Sequence, residues 1–172
     1  MERISCIWRF AAILSALLIA VQAPAAASAE PANAATAATQ AANARVLSSL
    51  PFSDKQDFED AQRGFIARPD KLTIRDASGK VVWDLESYKQ FIGLERPAPA
   101  TVNPSLWRNA QLNLQYGLFK VTDRIYQVRG YDLSNITFVQ GDTGWIVFDP
   151  LISPETARAA LDLVTEHRAL AE

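Results

Sequence analysis

The chain has 172 residues, 49% of them apolar, and a formal net charge of −2 at pH 7. This size suits one domain or part of a larger one, and the apolar fraction permits a packed core. Part of that fraction lies in an alanine-rich N-terminal region, which packs little. The basic residues are scattered over several predicted elements and form no stripe, so the sequence argues against a nucleic-acid partner.

The first 29 residues are predicted to be a secretory signal peptide. Arg3 and Arg9 give a positively charged start, Phe10 to Val21 is an unbroken small and apolar run, and Ala27-Ser28-Ala29 offers a cleavage site. The alternative is an uncleaved membrane anchor, but the run falls short of the roughly 20 residues that span a bilayer. We therefore expect an exported protein, periplasmic or secreted, with no membrane anchor after cleavage.

Two residue types important to catalysis are almost missing from the chain. Cys6 is the only cysteine and lies in the predicted signal peptide, and His167 is the only histidine. Cleavage would leave no thiol for a disulfide, a cysteine nucleophile or a zinc site of the cysteine type. We therefore predict no catalytic, cofactor-binding or metal-ligating residue in this chain.

Residues 30–48 and 49–103 are predicted to be a linker and a small N-terminal segment. The first is rich in alanine and has no apolar periodicity, which is typical of a flexible or weakly helical linker. In the second, apolar spacing predicts a helix from Asp54 to Phe65. A hairpin follows, with strands at 71–75 and 81–83 around the turn residues 76–79, and then a short helix over 87–92. Pro97 and Pro99 mark a stiff connection.

Residues 104–172 are predicted to begin a layered α/β domain. Pro104 opens a helix running to about Tyr116, and Gly117 stops it. Ser153, Pro154 and Glu155 have the capping pattern of a later helix. Four strands lie between the two helices, at 117–121, 125–129, 135–140 and 145–148. The last two strands are so apolar that we expect both of their faces to be buried. The chain ends soon after the helix, which indicates an incomplete domain.

Four stretches of this region read SLWRNAQLN (105–113), GLFKVTD (117–123), IYQVRGYDLSN (125–135) and GDTGWIVFDPL (141–151). Together with residues 50–52, 57–61, 63–67 and 81–84 they resemble the alkylsulfatases of the metallo-β-lactamase superfamily. The resemblance covers about residues 45–172. It implies an αββα sandwich, of which this chain holds the opening strands and the first helix.

The resemblance also implies an activity and a cofactor. The family hydrolyses sulfate esters of medium and long alkyl chains at two zinc ions. The zinc ligands lie in a His-x-His-x-Asp-His motif after the next strand and in later His and Glu residues, none of which is in this chain. A zinc site needs three or four converging ligands, so we expect the isolated chain to be inactive. The family's dimerisation region and lipid-carrier-like C-terminal domain are also absent, so the homodimer is a property of the family alone.

A few residues leave two interpretations open. Asp149 ends an apolar strand, and the resemblance implies that an acid here braces the metal-bearing loop as a second-shell residue, whereas Asp-Pro is also a common turn. His167 fits a surface or helix-capping role better than a ligand role. Residues 141–144 predict a hairpin turn and not a phosphate loop. Asn135 fits a glycosylation site or a strand entry. The tryptophans fit packing positions or an alkyl-chain groove; they are Trp83, Trp107 and Trp145.

The sequence thus supports three hypotheses. The first is the N-terminal part of an alkyl sulfate ester hydrolase, inactive alone. The second is a non-enzymatic periplasmic module that binds an apolar ligand or a partner chain, for instance by strand addition at an exposed sheet edge. The third is a small metal-independent hydrolase, against which stands the lack of a nucleophile and base pair.

Overall fold

The computed structural model describes residues 33–167, so the predicted signal peptide and Cys6 lie outside the described part of the chain. Twelve elements follow one another along it. The helices are α1 (Ala37–Ser49), α2 (Gln56–Gln62), α3 (Leu85–Phe91), α4 (Pro104–Leu112) and α5 (Pro154–Glu166). The strands are β1 (Phe65–Ala67), β2 (Thr73–Arg75), β3 (Val81–Asp84), β4 (Gly117–Thr122), β5 (Ile125–Arg129), β6 (Ile136–Gln140) and β7 (Trp145–Phe148).

The centre of the fold is a five-stranded antiparallel sheet in the order β1-β4-β5-β6-β7. Strands β4 to β7 form a meander, because each pairs antiparallel with the next strand along the chain. Arg124, with a φ of 62°, occupies the turn between β4 and β5, and the Gly141 N–H donates to the Gly144 carbonyl at 2.7 Å in the turn between β6 and β7. The four strands and the hairpin turn predicted from the sequence are confirmed.

One face of this sheet carries the core. Leu118, Val128 and Ile136 pair with one another across β4, β5 and β6 and are almost completely buried. Helix α5 packs against this region through Ala160 and Val164. The apolar side of α5 therefore points inward, as expected for a helix that covers one side of a sheet.

The hairpin formed by β2 and β3 is a separate two-stranded sheet that joins the same core. The Asp76 carboxylate accepts hydrogen bonds from the Ser78 and Lys80 N–H groups and so fixes the turn. Leu72 beside β2 and Leu85 at the start of α3 are buried in the main core. The predicted segments 49–103 and 104–172 thus share one hydrophobic core.

Helix α1 occupies much of residues 30–48, for which the sequence predicts a flexible or weakly helical linker. Thr36 caps the helix by accepting from the Thr39 N–H at 3.2 Å, and the Asn43 side chain donates to the Ala100 carbonyl at 2.9 Å. Alanine has the highest helix propensity, which favours a helix even without packing. None of the helix residues is buried, in agreement with the lack of apolar periodicity.

Strand β1 was not predicted, and it replaces the end of the helix expected over Asp54 to Phe65. Helix α2 stops at Gln62, and Gly64, with a φ of 72°, turns the chain against β4. A side chain at Gly64 would collide with the Lys120 carbonyl, and the Lys120 N–H donates to the Gly64 carbonyl at 2.7 Å. Only glycine allows this close approach of two backbones.

Helix α4 ends at Leu112, about four residues before the predicted end. The chain then extends so that Leu114 and Tyr116 enter the core, and the Tyr116 hydroxyl donates to the Pro69 carbonyl at 2.7 Å. Gly117, with a φ of 124°, begins β4 and does not cap the helix. Burial of two large side chains outweighs the local helix pattern here.

The expectation that β7 is buried on both faces is wrong for the part of the chain that the structure describes. Ile146 and Phe148 are 60% and 58% exposed, and Val147 between them is also exposed. Successive side chains of a strand point to opposite faces, so both faces of β7 lack cover. Helix α5 packs against β2, β3 and β5 instead.

No helix within residues 33–167 has the length and apolar character needed to cross a membrane.

Candidate functional site

The loop that leaves β7 has an unusual backbone. Asp149 and Leu151 have φ values of 52° and 70°, in the left-handed region that residues other than glycine seldom adopt. Pro150 lies between them. Such conformations cost free energy and persist only where neighbouring structure fixes them. The loop that carries Asp149 is therefore held in this conformation by other groups.

Asp132 is the group that holds this loop. It is buried, and its carboxylate accepts from the Ser134 N–H at 2.6 Å and from the Ile152 N–H at 2.7 Å. The Thr156 hydroxyl lies 3.4 Å from the same carboxylate. One buried carboxylate thus joins the loop before β6, the loop after β7 and the first turn of α5. Hydrogen bonds to a charged acceptor are among the stronger ones in proteins.

The start of α5 is fixed by its own cap. The Ser153 hydroxyl accepts from the Thr156 N–H at 3.2 Å, and the Thr156 hydroxyl accepts in return from the Ser153 N–H at 3.4 Å. This capping box confirms the helix start predicted from Ser153 and Pro154. The loop from Asp149 to Ser153 is therefore anchored at its second half.

Asp149 itself remains exposed at the end of β7, and its carboxylate makes no hydrogen bond or ion pair with a described residue. It is free to accept hydrogen bonds from groups outside residues 33–167. Asp132 and Asp149 therefore lie in neighbouring loops but differ in their contacts. The Asp132 carboxylate is hydrogen-bonded within the described chain, whereas the Asp149 carboxylate is not.

The residues from 33 to 167 do not fit a two-zinc site. They contain no group of three or more His, Cys, Asp or Glu side chains that could hold a metal ion. His167 follows the last residue of α5 as its C-cap, and its ring Nδ1 lies 3.1 Å from the Leu163 carbonyl. A lone imidazole cannot supply the several ligands that a zinc ion requires.

The other residues singled out from the sequence take structural positions. Trp107 is buried, and its ring N–H donates to the Arg96 carbonyl at 2.8 Å. Trp83 donates to the Gly130 carbonyl at 2.8 Å, and Trp145 packs edge-on against Tyr126 and Phe138. Asn135 is exposed just before β6.

Sequence reasoning missed Asp132. Its only local signal is the spacing Asp-Leu-Ser, in which an aspartate accepts from the N–H two residues on, as in an Asx turn. Its bond to Ile152, twenty positions away, depends on the sheet bringing two loops together.

The sheet, the helix that packs on it and the anchored loop define the class of this protein. It is an α/β assembly that matches part of an alkylsulfatase domain. A stereoselective inverting sec-alkylsulfatase from a Pseudomonas species superimposes with a TM-score of 0.72 at 51% identity, over 79% of this chain and 21% of that one. The predicted α/β class is confirmed.

Curated relatives agree with this result. A linear primary-alkylsulfatase from Pseudomonas is 48% identical over 94% of this chain. An (R)-specific secondary-alkylsulfatase from Pseudomonas is 52% identical, and an alkyl/aryl-sulfatase from Saccharomyces cerevisiae is 51% identical, each over 74% of the chain. No protein-family model matches the chain.

The chain is therefore homologous to the alkylsulfatases along most of its length, and the match is consistent with an N-terminal portion of them. It spans only 24%, 19% and 19% of the three curated relatives, respectively. The resemblance predicted from the sequence is confirmed at this level.

Proposed function

We propose that this chain is the N-terminal part of a zinc-dependent alkyl sulfate ester hydrolase of the metallo-β-lactamase type, exported to the periplasm or beyond and inactive by itself. The observation that carries the proposal is the combination of about 50% identity with a match to about a fifth of each relative. The single histidine of the chain supports inactivity, because it leaves too few ligands for a dinuclear site.

In the complete hydrolase, two zinc ions would activate water and neutralise charge on the departing sulfate. This chain would contribute support and no ligand. Asp132 would hold the loop after β7 in its strained form, and Asp149 would offer its free carboxylate to the metal-bearing loop. Outer-shell carboxylates of this kind orient the ligands of many metal sites.

Sulfate release from dodecyl sulfate in the presence of zinc tests the proposal. The 172-residue chain alone should release no sulfate above background. It should restore release when mixed with the Pseudomonas linear primary-alkylsulfatase from which the matched segment has been deleted. Stoichiometric zinc and turnover in the isolated chain would show that it is not inert.

A matched pair of variants sharpens the complementation assay. Asp132→Asn should reduce the restored activity, because it loosens the loop that carries Asp149. Asp162→Asn, on the exposed side of α5, should leave it unchanged. Equal recovery with both variants would remove Asp132 from the proposed positioning role.

The exposed edge strand β7 favours a second function, a periplasmic module that binds an apolar partner chain. An edge strand with uncovered apolar faces can accept an additional strand. In this alternative the chain would bind an extended apolar peptide at β7 and would fail to restore hydrolysis in the mixing experiment.

A further inference from the structure

Asp149 and Pro150 are the one Asp-Pro pair in the sequence, and both residues are exposed at the end of β7. An aspartate carboxylate can reach the main-chain carbonyl carbon of its own residue, because the attack closes a small and unstrained ring. The bond to a following proline is especially prone to this attack, since the proline nitrogen is readily protonated and leaves as a secondary amine. The pair is therefore a peptide bond of high intrinsic reactivity.

The Asp149 carboxylate is free to attack. Within the described part of the chain it makes no hydrogen bond, and no cation pairs with it. The acids of the neighbouring elements are Asp132 in the loop before β6, whose carboxylate is bonded to the Ser134 and Ile152 N–H groups, and Glu155 in the first turn of α5. No bond to Asp149 has to break before the carboxylate reacts.

Pro150 also blocks a competing reaction. After an aspartate, the main-chain nitrogen of the next residue can attack the side-chain carboxyl and form a succinimide, which leaves the chain intact. That route requires an N–H, and proline has none. Attack of the Asp149 carboxylate on the main chain is the cyclisation that remains.

The loop around this bond is held in an unfavourable backbone conformation. Asp149 and Leu151, on either side of Pro150, have φ values of 52° and 70°. The loop cannot relax, because β6 pairs with Phe148 before it and the capping box fixes α5 after it. Cleavage would let both residues return to the usual φ region, so part of the strain is released as the bond breaks.

We propose that the chain cleaves itself between Asp149 and Pro150 in mild acid, with the Asp149 carboxylate as the nucleophile. A carboxylate oxygen bonds to the Asp149 carbonyl carbon, and the bond from that carbon to the Pro150 nitrogen breaks. The nitrogen keeps the electron pair and takes a proton from the acidic solvent, which leaves a cyclic anhydride at Asp149. Water then opens the anhydride to two carboxyl groups, so the net reaction is hydrolysis of one peptide bond.

The cut divides the chain into residues 1–149 and 150–172 and removes the covalent link between the sheet and α5. Helix α5 buries Ala160 and Val164 in the core. The cut turns this packing into a contact between two separate chains, which weakens the fold because the ends are no longer held together. The reaction goes beyond the proposed hydrolase and does not depend on it, since it requires only a free Asp149 carboxylate.

Incubation of the 172-residue chain in mildly acidic buffer tests the proposal, with circular dichroism to show that the chain stays folded. Mass spectrometry should find a C-terminal product that begins at Pro150. Its rate of formation should not depend on protein concentration, as for a reaction within one molecule. At neutral pH the rate should fall at least about tenfold, because the leaving nitrogen lacks a proton donor.

Asp149→Asn and Pro150→Ala should each slow cleavage at least about tenfold, since the first removes the nucleophile and the second removes the reactive leaving group. Asp162→Asn, on the exposed side of α5, is the matched control and should cleave at the wild-type rate. Leu151→Gly keeps both reacting residues but removes the cost of a positive φ, so it should slow cleavage at least about threefold.

Concentrated guanidinium chloride at the same acidic pH separates the effect of the fold from the ordinary lability of an Asp-Pro bond. The folded chain should cleave at least about fivefold faster than the unfolded chain, because unfolding relaxes the loop. Equal or slower cleavage of the folded chain, a product that does not begin at Pro150, or wild-type cleavage of folded Asp149→Asn would each overturn the proposal. These readouts measure chain length alone, so they are independent of the mixing experiment for sulfate release.

Discussion

At the scale of single residues, two carboxylates in neighbouring loops differ in burial and in hydrogen bonding. Asp132 is buried and accepts from backbone groups on both sides, whereas Asp149 is exposed and unpaired among the described residues. Removal of a buried acceptor leaves its donors unsatisfied, which costs more than the bond itself contributes. Substitution by asparagine is therefore expected to change the free energy of unfolding by different amounts at the two positions.

Asp132→Asn should lower the free energy of unfolding by about 2 kcal/mol, because one side of an amide cannot accept from an N–H. Asp149→Asn should change it by less than about 0.5 kcal/mol, since asparagine tolerates a positive φ and the site is exposed. Urea unfolding followed by circular dichroism measures both. Equal effects would show that Asp132 does not hold the loop.

The ion pair of Asp57 and Arg108 predicts a pH dependence of stability. Arg108 joins α4 to α2, donating from Nε to the Asp57 carboxylate at 2.6 Å and from a terminal nitrogen at 2.5 Å. These hydrogen bonds, with the charge attraction, hold the pKa of Asp57 below its ordinary value of 3.8. A carboxyl with a lowered folded pKa stabilises the protein above its unfolded pKa.

Wild type should therefore be more stable than Asp57→Asn at neutral pH, and the difference should shrink as the pH falls below 3.8 through the lower folded value. Urea unfolding at a series of pH values measures it. Asp162→Asn serves as the exposed control, for which we expect a small difference at neutral pH. A difference for Asp57→Asn that grows toward acid pH would contradict the assignment.

At the scale of elements, β7 is the strand of the large sheet with the most exposed apolar side chains. It pairs with β6 on one side only, and Ile146, Val147 and Phe148 are exposed in the described chain. Uncovered edge strands of this kind promote association between chains. We therefore expect the exposed residues of β7 to promote self-association of the protein in solution.

Ile146→Lys should reduce concentration-dependent self-association, because a charged residue on an edge strand opposes strand pairing. Sedimentation velocity over a range of protein concentrations measures the effect. Val121→Lys is the matched control, since Val121 is 55% exposed but lies on β4, away from this edge. If both variants associate as wild type does, β7 is not the contact surface.

At the scale of the whole molecule, the hairpin and the large sheet depend on one core. Leu72 and Leu85 come from the N-terminal segment, and Val128 and Val164 come from the later part of the chain. A shared core of this kind couples the parts that contribute to it, so residues 34–167 should unfold in one cooperative transition.

Leu85→Ala should lower the free energy of unfolding by about 3 kcal/mol, because it leaves a cavity in the shared core. Tryptophan fluorescence and far-UV circular dichroism should still report one coincident transition. Leu106→Ala, at a position 62% exposed on α4, should have an effect below about 0.5 kcal/mol. Separate transitions for the two probes would mean that the hairpin folds independently.

Elements with strong local signals were predictable from the sequence. The hairpin of β2 and β3 follows from turn residues at 76–79, where Asp76 bonds its own neighbours, and the start of α5 follows from Ser153 and Pro154. These interactions span a few positions, so the residue pattern contains all of the necessary information. The resemblance to alkylsulfatases likewise rests on consecutive residues.

Other features were decided only when distant segments met. Strand β1 exists because Gly64 lies against Lys120, and Asp132 gained its role because the sheet brought Ile152 beside it. The apolar residues of β7 predicted a strand that is buried on both faces. Burial also requires another helix or strand that packs on it.

The sequence by itself determined the hairpin, the four strands of the meander, the capped start of α5 and the similarity to alkylsulfatases, since each depends on neighbouring residues. Only the tertiary structure decided where β1 pairs and which carboxylate is buried. Burial and pairing depend on which atoms come close in space. The number of residues between two positions in the sequence does not determine the distance between them in the fold.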